Sequence, residues 1–119
     1  MVKSKIMLEE KKYHCPVEAT MDVIGGKWKL LIIHYLLEGT KRFNELQKAI
    51  PAVTQRMLTS KLRELEKDGI VHRKVYAEVP PKVEYSMTEF GRTVESMLWV
   101  MHDWGKTFIA KGSGKAMGK

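Results

Sequence analysis

An α+β fold, mainly helical, follows from three features of this 119-residue sequence. The stretch Val53 to Gly69 reads as a helix with one apolar side, one polar side and a stop signal at each end. Directly after it the apolar pattern changes from helical spacing to alternation, which lasts to Met87. Helical spacing governs the rest, before the first stretch and again from about residue 88 to 109. Helix, short link, amphipathic helix and then hairpin is the order of a winged helix-turn-helix. The expected architecture is that motif with a two-stranded β-hairpin wing, flanked by N- and C-terminal helices.

The elements are justified in order. Residues 1–12 are mostly charged, with an apolar cluster at Ile6, Met7 and Leu8, and read as an N-terminal arm. A short helix should follow Cys15, because Pro16 suits a first helical position and Gly25-Gly26 ends the segment. Cys15 then falls at or near its N-cap. From about Lys27 to Glu38, Trp28, Leu31, Ile32, Tyr35 and Leu36 share a face that Leu30, Ile33 and Leu37 broaden, so this helix should be central to the core. Phe43, Leu46 and Ile50 mark a third helix ending before Pro51.

In the next helix Thr54 is placed as N-cap and Gly69 as the residue past the C-cap. Leu58, Leu62 and Leu65 have the i, i+4, i+7 spacing of a buried stripe, and Met57 looks like packing. Opposite them Arg56, Ser60, Arg63 and Lys67 form a row, with Gln55 and Thr59 beside it. These side-chain types reach guanine edges, adenine edges and phosphates. An ordinary solvated helix face is the competing account; the short preceding helix and the hairpin that follows argue for groove contact. Arg56 and Arg63 are the strongest individual candidates, Lys67 suits a phosphate, and Lys61 belongs to the flank. Arg42, at the entry to the third helix, is a further phosphate candidate.

Residues 70–76 and 83–87 read as paired strands around a proline-stiffened loop, with Arg73, Lys74 and Lys82 available to sugar-phosphate or the minor groove. Thr88 should cap the last helix, where Phe90, Val94, Met97, Met101, Trp104 and Phe108 alternate steps of four and three. Leu98 and Trp99 widen that seam. A domain this small cannot bury it alone, so it should meet the same helix of a second copy. The domain thus spans residues 13–110, with about 88–109 as the dimer helix and 111–119 as a disordered basic tail.

Composition narrows the function classes. Net charge is +7 and the pI about 9.5, from 21 basic and 14 acidic residues, which favours a polyanionic partner such as double-stranded DNA. No apolar run approaches the roughly 20 residues that span a bilayer. The charged N-terminus lacks the apolar stretch of a signal peptide, so the expected location is the cytoplasm, with no membrane partner. A single cysteine excludes an internal disulfide. His14, His34, His72 and His102 share no ligand spacing, so neither metal nor cofactor is expected. The three tryptophans fall within apolar helical patterns and suit core or dimer packing better than an effector pocket.

The sequence resembles the HxlR-type winged helix regulators of bacteria and archaea from about Cys15 to Phe108. The carriers are Cys15-Pro16, Gly25-Gly26-Lys27-Trp28, Arg42-Phe43-Asn44-Glu45-Leu46, the run from Leu58 to Arg73, and Pro80 through Val83-Glu84-Tyr85-Ser86-Met87-Thr88-Glu89-Phe90-Gly91. Val53-Thr54 stands where such sequences usually have Ile-Ser, which keeps the capping hydroxyl. The resemblance implies a homodimeric DNA-binding transcription factor whose flanking helices form the dimer interface. In some members the cysteine matching Cys15 senses oxidants or electrophiles. A helix N-terminus favours a thiolate, and His14 stands beside it, so a redox switch is weighed against an inert thiol. The rival readings are a winged-helix protein-interaction module without sequence-specific DNA binding, and an enzyme with Cys15 as nucleophile. The basic polar row on the Thr54–Gly69 helix opposes the first, and the lack of any base beyond His14 opposes the second.

Overall fold

The computed structural model describes residues 13–118. The arm expected at residues 1–12 lies outside them. Helix α1 covers Pro16–Ile24 with Pro16 at its first position and Cys15 as N-cap. Helix α2, Lys27–Leu36, stops two residues short of the expected end, at a turn leading into Gly39. Helix α3, Phe43–Ala49, and helix α4, Gln55–Lys67, form the helix-turn-helix pair. The core gathers Ile32, Ile33 and Leu36 of α2, Leu46 of α3 and Leu58, Leu62 and Leu65 of α4. α2 is therefore the central helix its apolar face demanded, and α4 packs directly on it.

The ends of α4 are set locally. Thr54 Oγ1 accepts a hydrogen bond from the Met57 N–H at 3.0 Å. At the other end Gly69 has a φ of +77°, the left-handed conformation that lets the chain leave the helix and enter a strand. Met57 is exposed rather than packed, because the three leucines already fill the face toward α2.

The sheet has three antiparallel strands in the order β1-β3-β2, not two. β1 is only Lys41–Arg42 and pairs Lys41 with Tyr85 and Arg42 with Glu84. Two residues cannot show an alternating pattern, and their pairing depends on β3 some forty positions later. The expected hairpin is present as β2, Val71–Tyr76, and β3, Lys82–Met87.

Thr88 caps a tighter turn than expected. Its Oγ1 accepts from the Gly91 N–H at 2.8 Å, and a 3₁₀ turn over Gly91–Val94 precedes helix α5, Glu95–Gly118. Gly91 is pressed against the chain leaving α4, where an added Cβ would sit 2.1 Å from the Ile70 carbonyl oxygen. That close approach draws the backbone into the narrower helix. Helix α5 extends to Gly118, over most of the segment expected as a basic tail.

Candidate nucleic-acid interface

Helix α4 turns its three leucines inward, leaving Gln55, Arg56, Ser60 and Arg63 exposed and Thr59 half-buried. Together with Glu64 these five line one shallow depression on the surface. The fold thus brings five of the predicted reading residues into one patch. Their hydrogen-bonding capacities are unequal. Arg56 and Arg63 present whole guanidinium forks, the geometry that matches a guanine edge or a phosphate. Thr59 donates its hydroxyl proton to the Gln55 carbonyl at 2.9 Å, so only its lone pairs face outward. Thr54 is occupied as a cap acceptor.

The remaining predicted residues lie around this patch. Arg42 is the exposed N-cap of α3 and part of β1, and its backbone N–H donates to Glu45 Oε1 at 2.7 Å. Lys67, at the far end of α4, lines a separate cleft with Tyr13, Asp22, Phe90 and Met97. In the wing, strand alternation separates the basic residues. Arg73 is opposite Tyr85 on one face, whereas Lys74 and Lys82 share the other face with Tyr76 and Glu84. There the Lys82 Nζ is 4.3 Å and the Lys74 Nζ 4.8 Å from the Tyr76 ring centre. Tyr76 donates its hydroxyl to Glu84 at 2.9 Å, and Lys82 pairs with Glu84 at 3.8 Å. Lys82 is therefore partly neutralised within the wing; Arg73 and Lys74 are the freer charges.

Two residues of this region carry more of its electrostatics than their sequence context suggested. Glu64 Oε1 stands 2.9 Å from Lys29 Nζ and 3.5 Å from Lys61 Nζ. The hydrogen bond from Lys29 holds the Glu64 carboxyl below its usual value against the opposing effect of burial, and the charges of Lys29 and Lys61 add to it. A signal for Lys29 existed: it precedes Ile32, Ile33 and Leu36 by three, four and seven residues, which places it on the buried stripe of α2.

Cys15 is exposed. Its neighbour His14 engages Glu18 instead, donating its backbone N–H to Oε1 at 2.9 Å and placing ring Nδ1 3.4 Å from Oε2. Val94 of the 3₁₀ turn and Met97 and Leu98 of α5 pack against the core, whereas Met101, Trp104 and Phe108 of the same seam are exposed. Phe90 precedes the helix and is also exposed. Among the described residues no helix is long and apolar enough to cross a membrane.

The model of the HxlR-like helix-turn-helix family matches residues 23–113. The HTH-type transcriptional regulator YdeP of Bacillus subtilis (strain 168) is 61% identical over 94 residues, 79% of this chain and 73% of that one. Among solved structures, the redox regulator HypR in its oxidised form is 61% identical with a TM-score of 0.76, covering 78% of this chain and 96% of that one. HypR in its reduced form is 60% identical with the same TM-score of 0.76, covering 78% and 92%.

Proposed function

The chain belongs to the HxlR-like helix-turn-helix family of DNA-binding transcription regulators, and on that premise we propose that it acts as a homodimer on a pseudo-palindromic operator. The observation that carries this reading is the α4 patch: Gln55, Arg56, Thr59, Ser60 and Arg63 lie together on a helix whose other side is locked to the core by Leu58, Leu62 and Leu65. A helix seated in this way enters the major groove as a rigid body, so few rotamers need ordering on binding. Arg42 and Lys67 contact phosphate at its ends. Arg73, Lys74 and the partly neutralised Lys82 hold the neighbouring backbone.

Two copies join through α5. Trp104 is 67% exposed and Phe108 62%, their rings stacked with centres 5.6 Å apart. With Met101 and Phe90 they leave apolar surface in water that a second copy covers, bordering the partly buried Val94, Met97 and Leu98. Half-sites then fall about one helical turn, or a multiple, apart.

Cys15 is the candidate oxidation switch, supported by its exposure and by the likeness to a redox regulator. A peroxide takes two electrons from the thiolate, giving sulfenic acid and water. Condensation with a small thiol, or with the Cys15 of a second copy, releases another water and leaves a disulfide. In Cys15→Ser the response of DNA binding to oxidant is lost; an unchanged response removes the switch.

The test of the whole reading is capture of sheared genomic DNA by the purified protein near physiological salt with excess competitor, first reducing and then oxidising. Recovery of a few fragments sharing an inverted repeat supports the operator, and their loss on oxidation supports the switch. Retention without sequence preference, vanishing steeply with salt, means that charge alone holds DNA and leaves the chain as a protein-interaction module.

A further inference from the structure

Lys29 is the charged residue that the fold buries: among the described residues it alone stands with the core, its side chain 7% exposed. It sits on α2 in the stripe of Ile32, Ile33 and Leu36. An ammonium group there loses its hydration, at a cost of several kcal/mol unless partners replace the water. Two do. Its Nζ is 2.9 Å from Glu64 Oε1 on α4 and donates to the Asp22 carbonyl, in the last turn of α1, at 3.4 Å. One side chain thus joins the central helix, the helix that Cys15 caps and the helix that carries the reading patch.

Replacing both members of a buried ion pair by apolar side chains is often neutral or stabilising, so stability alone does not account for the pair. What the lysine adds is direction. Leu58, Leu62 and Leu65 set how deeply α4 sits, but leucine contacts tolerate a few degrees of rotation about the helix axis. A charged hydrogen bond tolerates much less, since it weakens steeply with misalignment. Glu64 adjoins Arg63 in sequence and lines the same depression as Arg56 and Ser60. Turning α4 about its axis moves all of these side chains together, and a displacement of about 1 Å at their tips breaks a bidentate contact to a base edge.

We propose that Lys29 is a positioning residue for DNA reading, fixing the rotation of α4 through Glu64 while the Asp22 carbonyl holds its ammonium in place. This rests on the reading that α4 enters the groove. The contribution is to discrimination between sequences rather than to affinity for DNA as such. Arg42, Arg73 and Lys74 lie off α4 and grip phosphate whatever its rotation, so loss of Lys29 leaves non-specific binding in place.

The test compares Lys29→Met with the parent protein on two DNA probes. One is a captured genomic fragment carrying the inverted repeat; the other is the same length with both half-sites scrambled. Methionine keeps the stem and removes the charge. The expected result is a folded protein with unchanged affinity for the scrambled probe and roughly tenfold lower preference for the repeat. Lys29→Arg, which keeps the donor, restores part of that preference. Glu64→Gln keeps the surface shape and serves if Lys29→Met does not fold; it too lowers the preference. Parental preference in either folded variant overturns the inference while leaving the DNA reading intact. A parent protein that does not prefer the repeat overturns both.

Discussion

Helices α4 and α5 are both amphipathic, but the chain completes only one of them. In α4 every apolar position of the stripe is buried within the protein, with Leu58 and Leu65 fully enclosed and Leu62 1% exposed. Val94 just before α5 and Met97 and Leu98 in its first turn are half-buried against the core, and then the core ends. From Trp99 onward the apolar side chains face water: Trp99, Val100, Met101, Trp104, Phe108 and Ile109 are all exposed. A row of apolar residues at helical spacing therefore marks two different situations. α4 is a finished element whose polar side faces solvent, and α5 leaves an apolar surface that the chain itself does not cover.

The contrast sets how substitutions should differ. Leu62→Ala should cost about 2–5 kcal/mol of folding stability, because the enclosed site cannot collapse around the cavity. Urea titration measures it, and a cost under 1 kcal/mol, by that reckoning, means α4 is less firmly seated than described. Trp104→Ala should spare the monomer and weaken self-association by about 2 kcal/mol or more, roughly thirtyfold. Sedimentation over a dilution series showing the parental dimer would remove Trp104 from the interface.

Arg63→Ala lies next in size. If Arg63 reads a guanine, operator affinity falls by about 1–3 kcal/mol and selectivity relaxes at one base position. Uniform weakening across sequences would instead make it a phosphate contact. Lys74→Ala should show that uniform pattern, with the salt slope reduced by about 1.

The smallest effect concerns pH. Glu64 is held below its usual value of 4.5 in the folded chain, first by the hydrogen bond from Lys29. A lowered carboxylate contributes stability that is fully present above the unfolded value and is lost as pH falls through the folded one. Stability from this pair should therefore be constant from neutrality to roughly pH 5 and decline only below that. The carboxylate is 43% exposed, so solvent screening keeps the contribution small. In Glu64→Gln the acid limb of the stability curve should flatten; an identical limb would show that the pair does not contribute.

Much of the candidate site was legible because it is local. Thr54 and Gly69 punctuate α4 through contacts within a few residues, and the leucine row predicts its buried side from spacing alone. Lys74 and Lys82 were both visible as basic wing residues, but not that they flank Tyr76, which follows from the strand register. Thr88 was rightly read as a cap signal, yet its hydroxyl also lies 2.5 Å from the Gly69 carbonyl, and Gly91 packs on Ile70. Those contacts reach some twenty residues back along the chain and make the first turn a 3₁₀ helix.

By itself the sequence determined the order of helices and strands, the inward and outward sides of α4, and the position of Cys15 at a helix start. All of these depend on neighbours a few residues apart, where spacing and side-chain type suffice. Only the tertiary structure decided that Lys41 and Arg42 form a third strand, that the apolar seam running into α5 divides between core and water, and that Lys29 is buried with the core. Each of these depends on which distant segment lies opposite, and a partner that far along the chain leaves no periodic mark at the residue it holds.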